Sequence, residues 1–132
     1  MGEGLATRTM PSAAHNSLNI IQTNLQHKQI AAATLRRVLE VDNKTVALIQ
    51  EPWIKNNRVC SLNNKNGKLL LDNTVDKPRT CIVVPKTITT VLLNQFCSRD
   101  LTAAKIITEN QTVLVLASVY MPNEGEVPVQ RN

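Results

Sequence analysis

Two short apolar runs, Leu18 to Asn24 and Val46 to Gln50, flank a stretch with helical periodicity, and that order leaves few folds open. The first run, Leu18-Asn19-Ile20-Ile21-Gln22-Thr23-Asn24, is apolar early and polar at its exit, as a strand leaving a core would be. From Lys28 to Glu40, Ala31, Leu35 and Val38 recur at helical spacing, with Ala32 and Leu39 widening the stripe. Lys28, Gln29, Arg36, Arg37 and Glu40 would then face water. Asp42-Asn43-Lys44 breaks the pattern before Val46-Ala47-Leu48-Ile49-Gln50 begins a second strand. Strand, helix, strand within about thirty residues is a βαβ unit, so the two strands should lie parallel with a right-handed crossover. Parallel strands share one carboxyl edge. Asn24 and Glu51 each close such a strand and are expected at that edge, where α/β proteins gather ligands.

Glu51 is the more telling of the two. Pro52 stops the strand immediately after it, leaving an acid at the rim of a low-dielectric core. A charge there needs a cation or a hydrogen-bonding network. An acid closing a strand is also a common solvated turn residue, so the position alone leaves both readings open.

The remainder is β-rich. Arg58 to Leu62, Lys68 to Leu71, Thr80 to Val84, Thr87 to Leu93, Leu101 to Ile107 and Thr112 to Tyr120 have strand patterns. Asn63-Asn64-Lys65-Asn66-Gly67 marks a turn, and Glu109-Asn110-Gln111 joins the last two strands as a hairpin. The final strand repeats the pattern of the first two, with polar Ser118 and Tyr120 at its exit before Met121-Pro122. Residues 1–16 are small and polar and are expected to form an unpaired, disordered tail; residues 123–132 are expected to be an unstructured end. The domain proper is then 17–122. With 132 residues there is room for one domain.

Composition narrows the function classes. Hydrophobic residues make up 42%, enough for a packed core, whereas one Trp, one Tyr and one Phe cannot build a base-stacking platform. The net charge of +5 favours polyanionic partners, but the basic residues are scattered and no long like-charge run marks a binding tail. Cys60, Cys81 and Cys97 lack metal-type spacing, and neither His15 nor His27 has a Cys or His partner at zinc spacing. Reduced thiols in an intracellular protein, nuclear or cytoplasmic, fit that usage. No apolar run reaches bilayer length and no signal peptide opens the chain, so no membrane partner is expected.

Five segments in order carry a family resemblance: Leu18-Asn19-Ile20-Ile21-Gln22-Thr23-Asn24-Leu25-Gln26-His27, Ala47-Leu48-Ile49-Gln50-Glu51-Pro52-Trp53-Ile54, Pro78-Arg79-Thr80-Cys81-Ile82-Val83, Phe96-Cys97-Ser98-Arg99-Asp100-Leu101-Thr102-Ala103 and Ala117-Ser118-Val119-Tyr120-Met121-Pro122. Together they resemble the endonuclease/exonuclease/phosphatase superfamily, and more narrowly the apurinic-type endonuclease domain of an insect-type non-LTR retrotransposon. The resemblance implies an α/β (α+β) fold, the N-terminal half of a four-layer α/β-sandwich of the DNase I-like type. It implies that Glu51 is the carboxylate binding the catalytic divalent cation, Mg²⁺ or Mn²⁺. Asn24 would steady the metal and phosphate, and Tyr120 would donate toward the scissile phosphate. DNA would be the partner, with a reverse transcriptase fused to the domain. Gln26 stands where abasic-site repair relatives usually carry an acid, which argues against a repair function. His27 does not match the family's catalytic histidine and is expected to be a surface residue at the start of the helix.

The family pattern also calls for a Gly-Asp-x-Asn segment, a further Asp and a terminal Ser-Asp-His that supplies the general base, and none of these occurs in this sequence. The expectation is therefore the amino-terminal fragment of a DNA endonuclease, inactive alone, with an exposed half-core able to self-associate. Two rivals stand beside it: a non-catalytic basic nucleic-acid-binding fragment, and a phosphatase of the same superfamily, against which Gln50-Glu51-Pro52-Trp53 speaks.

Overall fold

The computed structural model describes residues 18–122, together with the backbone of residues 5–10. The chain runs β1 (Leu5–Met10), β2 (Leu18–Asn24), α1 (Gln29–Val41), β3 (Thr45–Gln50), β4 (Ile54–Lys55), β5 (Arg58–Val59), β6 (Gly67–Leu70), β7 (Thr80–Pro85), β8 (Thr89–Leu92), a 3-10 turn at Asn94–Phe96, β9 (Leu101–Ile107) and β10 (Val113–Val119). Strands β2 and β3 pair in parallel, with Asn24 opposite Gln50, and α1 is the crossover between them. The βαβ reading of the sequence holds. Around this pair a five-stranded sheet takes the order β1-β2-β3-β7-β6, and a three-stranded antiparallel sheet takes the order β10-β9-β8.

Residues 5–10 correct the expectation of an unpaired tail. They form β1, antiparallel to β2, from Leu5 opposite Thr23 to Met10 opposite Leu18. Composition hid this because pairing at a sheet edge needs only main-chain groups, and β2 would otherwise present an unpaired row of them. Residues 1–4, 11–17 and the expected unstructured end at 123–132 lie outside the described residues.

Side-chain alternation along β3 and β7 explains the layering. Ala47, Ile49, Cys81 and Val83 point to one face, where Ala32, Leu35 and Leu39 of α1 pack with Ile21, Leu25 and Leu62. Val46, Ile82 and Val84 point to the other, against Ala104 and Ile106 of β9, with Leu114 and Leu116 of β10 around them. The result is helix, sheet, sheet: three layers of a partial DNase I-like sandwich. Ile49, Ile82 and Ile106 are wholly buried, each worth about 1.5–3 kcal/mol of hydrophobic transfer. The buried helical stripe is Ala32, Leu35 and Leu39; Val38, expected within it, is 46% exposed. The strand expected over 58–62 is shorter, because β4 and β5 form a two-residue hairpin through Asn56 and Asn57, both at positive φ, and Leu62 leaves the hairpin for the core.

Candidate active site at the carboxyl edge of the parallel strands

At the exit of β3 the backbone turns sharply. Glu51 has φ +50, a left-handed conformation that costs a non-glycine residue about 1–3 kcal/mol. Four main-chain hydrogen bonds hold the region: Glu51 N–H donates to Arg79 O at 2.9 Å, Leu25 N–H to Gln50 O at 2.9 Å, His27 N–H to Glu51 O at 2.9 Å, and Arg79 N–H to Arg99 O at 2.8 Å. The loop after β2 is thus laced onto the exit of β3. Gln26 and His27 are left-handed as well, with φ of 53 and 59. Within that loop Asn24 Oδ1 accepts the Gln26 N–H at 2.8 Å, a side-chain turn that anchors the carboxamide at the edge.

Tyr120 reaches the same edge from the second sheet. Its N–H donates to Asp100 O at 2.9 Å, and the Arg79 guanidinium lies 4.9 Å above its ring centroid. Arg79 Nε donates to Asp100 Oδ1 at 2.7 Å and Nη2 to Oδ2 at 3.4 Å. Arg79 is therefore the joint of the site: its carbonyl accepts from Glu51, and its side chain lies against Tyr120 and Asp100. Below this rim, three buried hydrogen bonds tie the sheets together. Gln50 Nε2 donates to Ser118 Oγ at 2.9 Å, Ser118 Oγ donates to Ile49 O at 2.6 Å, and the Thr80 and Thr102 hydroxyls meet at 2.7 Å.

All three residues singled out in the sequence, Asn24, Glu51 and Tyr120, thus stand at one edge. Gln50, Arg79, Asp100 and Ser118 also build it, though sequence reasoning gave them no role. Polar Gln50 and Ser118, each near the exit of an otherwise apolar strand, were the available signals among them. His27 is the surface residue expected at the start of the helix, with its side chain half exposed, and its Nδ1 lies 3.2 Å from Pro52 O while Nε2 lies 3.6 Å from Glu51 Oε2.

The donor set suits a hard cation loosely held. Glu51 keeps its carboxylate partly exposed, and an amide oxygen such as that of Asn24 has a second lone pair beyond the one given to Gln26. Mg²⁺ is typically bound through one or two carboxylates plus waters and substrate phosphate. Among the described residues no cluster of three His, Cys, Asp or Glu side chains forms an all-protein cage. A surface groove of about 530 Å³ lies between the β4–β5 hairpin and the loop at 72–78, lined by Asn56, Asn57, Arg58, Asn73 and Asp76; neither Glu51 nor Tyr120 borders it.

Comparison with solved structures bears on the arrangement. The endonuclease domain of TRAS1, a telomere-specific non-LTR retrotransposon, superposes with a TM-score of 0.61 at 21% identity, over 78% of this chain and 45% of that one. The chain has a partial endonuclease fold. It spans less than half the length of the TRAS1 domain. No family model and no curated protein matches the sequence. Among the described residues no helix is long and apolar enough to cross a membrane.

Proposed function

We propose that this chain is the amino-terminal part of a divalent-metal-dependent DNA endonuclease domain of a non-LTR retrotransposon, which hydrolyses a phosphodiester to nick its target. The observation that carries the reading is the meeting of Asn24, Glu51 and Tyr120 at one edge, joined through Arg79 and Asp100. Glu51 would hold Mg²⁺ or Mn²⁺, with Asn24 beside it. A bound cation there supplies Lewis-acid stabilisation of charge on the phosphoryl oxygens. Tyr120 would donate its phenol to the scissile phosphate, its ring fixed by the Arg79 guanidinium. Asn24 would hold a phosphate oxygen through its amide N–H groups. The partner would be DNA in a nuclear or cytoplasmic setting, with a reverse transcriptase in the same polyprotein.

The sequence contains no Gly-Asp-x-Asn or Ser-Asp-His segment. General-base catalysis is typically worth about 10²–10⁴-fold, so the chain alone should be inactive. A plasmid-relaxation assay with Mg²⁺ or Mn²⁺ should show no nicking. Robust nicking abolished by Glu51→Gln would overturn the claim of inactivity while supporting the assignment of Glu51. DNA binding that falls with salt yet ignores both Mg²⁺ and Glu51→Gln would favour a basic binding module instead. The outward face of the three-stranded sheet exposes Val91, Val113, Val115 and Val119, and self-association would occur through it.

A further inference from the structure

His27 has no part in the function proposed above, yet its ring is oriented toward Glu51 by a hydrogen bond to Pro52 O. Its Nδ1 lies 3.2 Å from Pro52 O, and a carbonyl oxygen can only accept, so Nδ1 carries the proton. In the neutral ring the lone pair is then on Nε2, which faces Glu51 Oε2 at 3.6 Å. That gap is longer than a hydrogen bond, whose N···O distance is about 2.7–3.2 Å. It is close to the spacing of two ligands on one cation, since bonds of about 2.0–2.2 Å at a tetrahedral angle separate the donor atoms by roughly 3.4 Å. The ring is held as metal-binding histidines usually are, with the other N–H given to a backbone carbonyl. An ion pair is the competing account, but an imidazolium half exposed to solvent gains little from a carboxylate at this range.

We propose that His27 Nε2 and Glu51 Oε2 form a two-point binding site for a borderline first-row cation such as Co²⁺, Ni²⁺ or Zn²⁺, leaving the remaining positions to water and phosphate. The inference rests on Glu51 as a metal ligand and adds to it a nitrogen donor. Imidazole favours these metals, whereas carboxylate and water alone favour Mg²⁺ and Mn²⁺. The site therefore ranks cations differently from one built on Glu51 alone.

The test is a Co²⁺ titration of the full chain, read by visible absorption, with Mg²⁺ binding followed by calorimetry. His27→Gln should weaken Co²⁺ by roughly tenfold or more and leave Mg²⁺ unchanged, by the scale on which ligand-shell losses act. Glu51→Gln should weaken both metals, and His15→Gln, the control for the only other histidine, should change neither. Zn²⁺ should shift the Nε2 resonance of His27 in ¹⁵N spectra of the imidazoles. Unchanged Co²⁺ binding in His27→Gln would overturn the two-point site and leave the nuclease reading standing. Unchanged Mg²⁺ and Co²⁺ binding in Glu51→Gln would overturn both. Because His27 is half exposed, its substitution should leave the circular dichroism spectrum unaltered.

Discussion

Gln50 shows how much one polar side chain can decide. It closes β3 on the face turned toward the second sheet, and its amide finds Ser118 across the interlayer core. Ser118→Ala would leave that amide buried without its acceptor and remove the donor to Ile49 O. Its expected cost is about 1–3 kcal/mol, read as a lower denaturant midpoint with an unchanged slope. Arg79 offers a second measurement at this scale. Tyr120 is the only tyrosine in the chain, so Arg79→Met should alter a single near-ultraviolet tyrosine signal, and a ring signal identical to that of the native chain would refute the stacking role. The edge positions of Asn24 and Glu51 were legible in the sequence because each closes a strand of the βαβ unit, whereas Tyr120 was singled out by the family resemblance. Arg79, Asp100 and His27 were not legible, since their contacts span more than twenty positions and depend on left-handed turns at Gln26, His27 and Glu51 that no local pattern announces.

Among the elements, α1 and β3 were the clearest in the sequence, because parallel pairing follows from order and connection length alone. The register of the helix was less so. Periodicity places Val38 and Leu35 on neighbouring faces, and only the docking angle against β3 and β7 decides that Leu39 goes in and Val38 stays out. Strand β1 was invisible because Leu5-Ala6-Thr7-Arg8-Thr9-Met10 lacks the apolar alternation that marks a strand. The end of α1 makes a pH prediction. The Thr45 hydroxyl, and then the Lys44 N–H, hold the Asp42 carboxyl below its ordinary value of 3.8. A carboxyl depressed in the folded chain contributes stability above its unfolded value and loses it as pH falls through the folded one. Stability should therefore decline on acidification below about pH 4, and Asp42→Asn should flatten that decline in urea titrations across the range. Strand β7 makes another. Burial pushes the Cys81 thiol far up, whereas Cys60 and Cys97 are only partly covered. A thiol reagent should label two cysteines in the native chain and the third only on unfolding.

For the molecule as a whole, the two sheets close on each other while the outer face of the second carries exposed valines around Lys105 of β9. Val113, Val115 and Val119 lie along the outward side of β10, the last strand in its sheet, and Val91 of β8 joins them across β9. Among the described residues no helix packs on that face. Sedimentation should show association at micromolar concentration, and Val115→Lys, at a side chain 63% exposed, should reduce it without lowering thermal stability. The βαβ unit followed from hydrophobic patterning and the sandwich from the family resemblance; this outward face followed from neither, because alternation gives two faces without saying which one is covered. The inner core has a different consequence. Val46, Ile82, Val84, Ala104 and Ile106 come from strands that precede residue 108, but Leu114 and Leu116 of β10 pack against them and Ser118 bonds to Gln50 and Ile49, so the interlayer contact closes only once β10 has been made. On a translating ribosome this stretch would become a protected unit only after β10 clears the exit tunnel, and its slowest-exchanging amides should lie in β3 and β7, the strands covered on both faces.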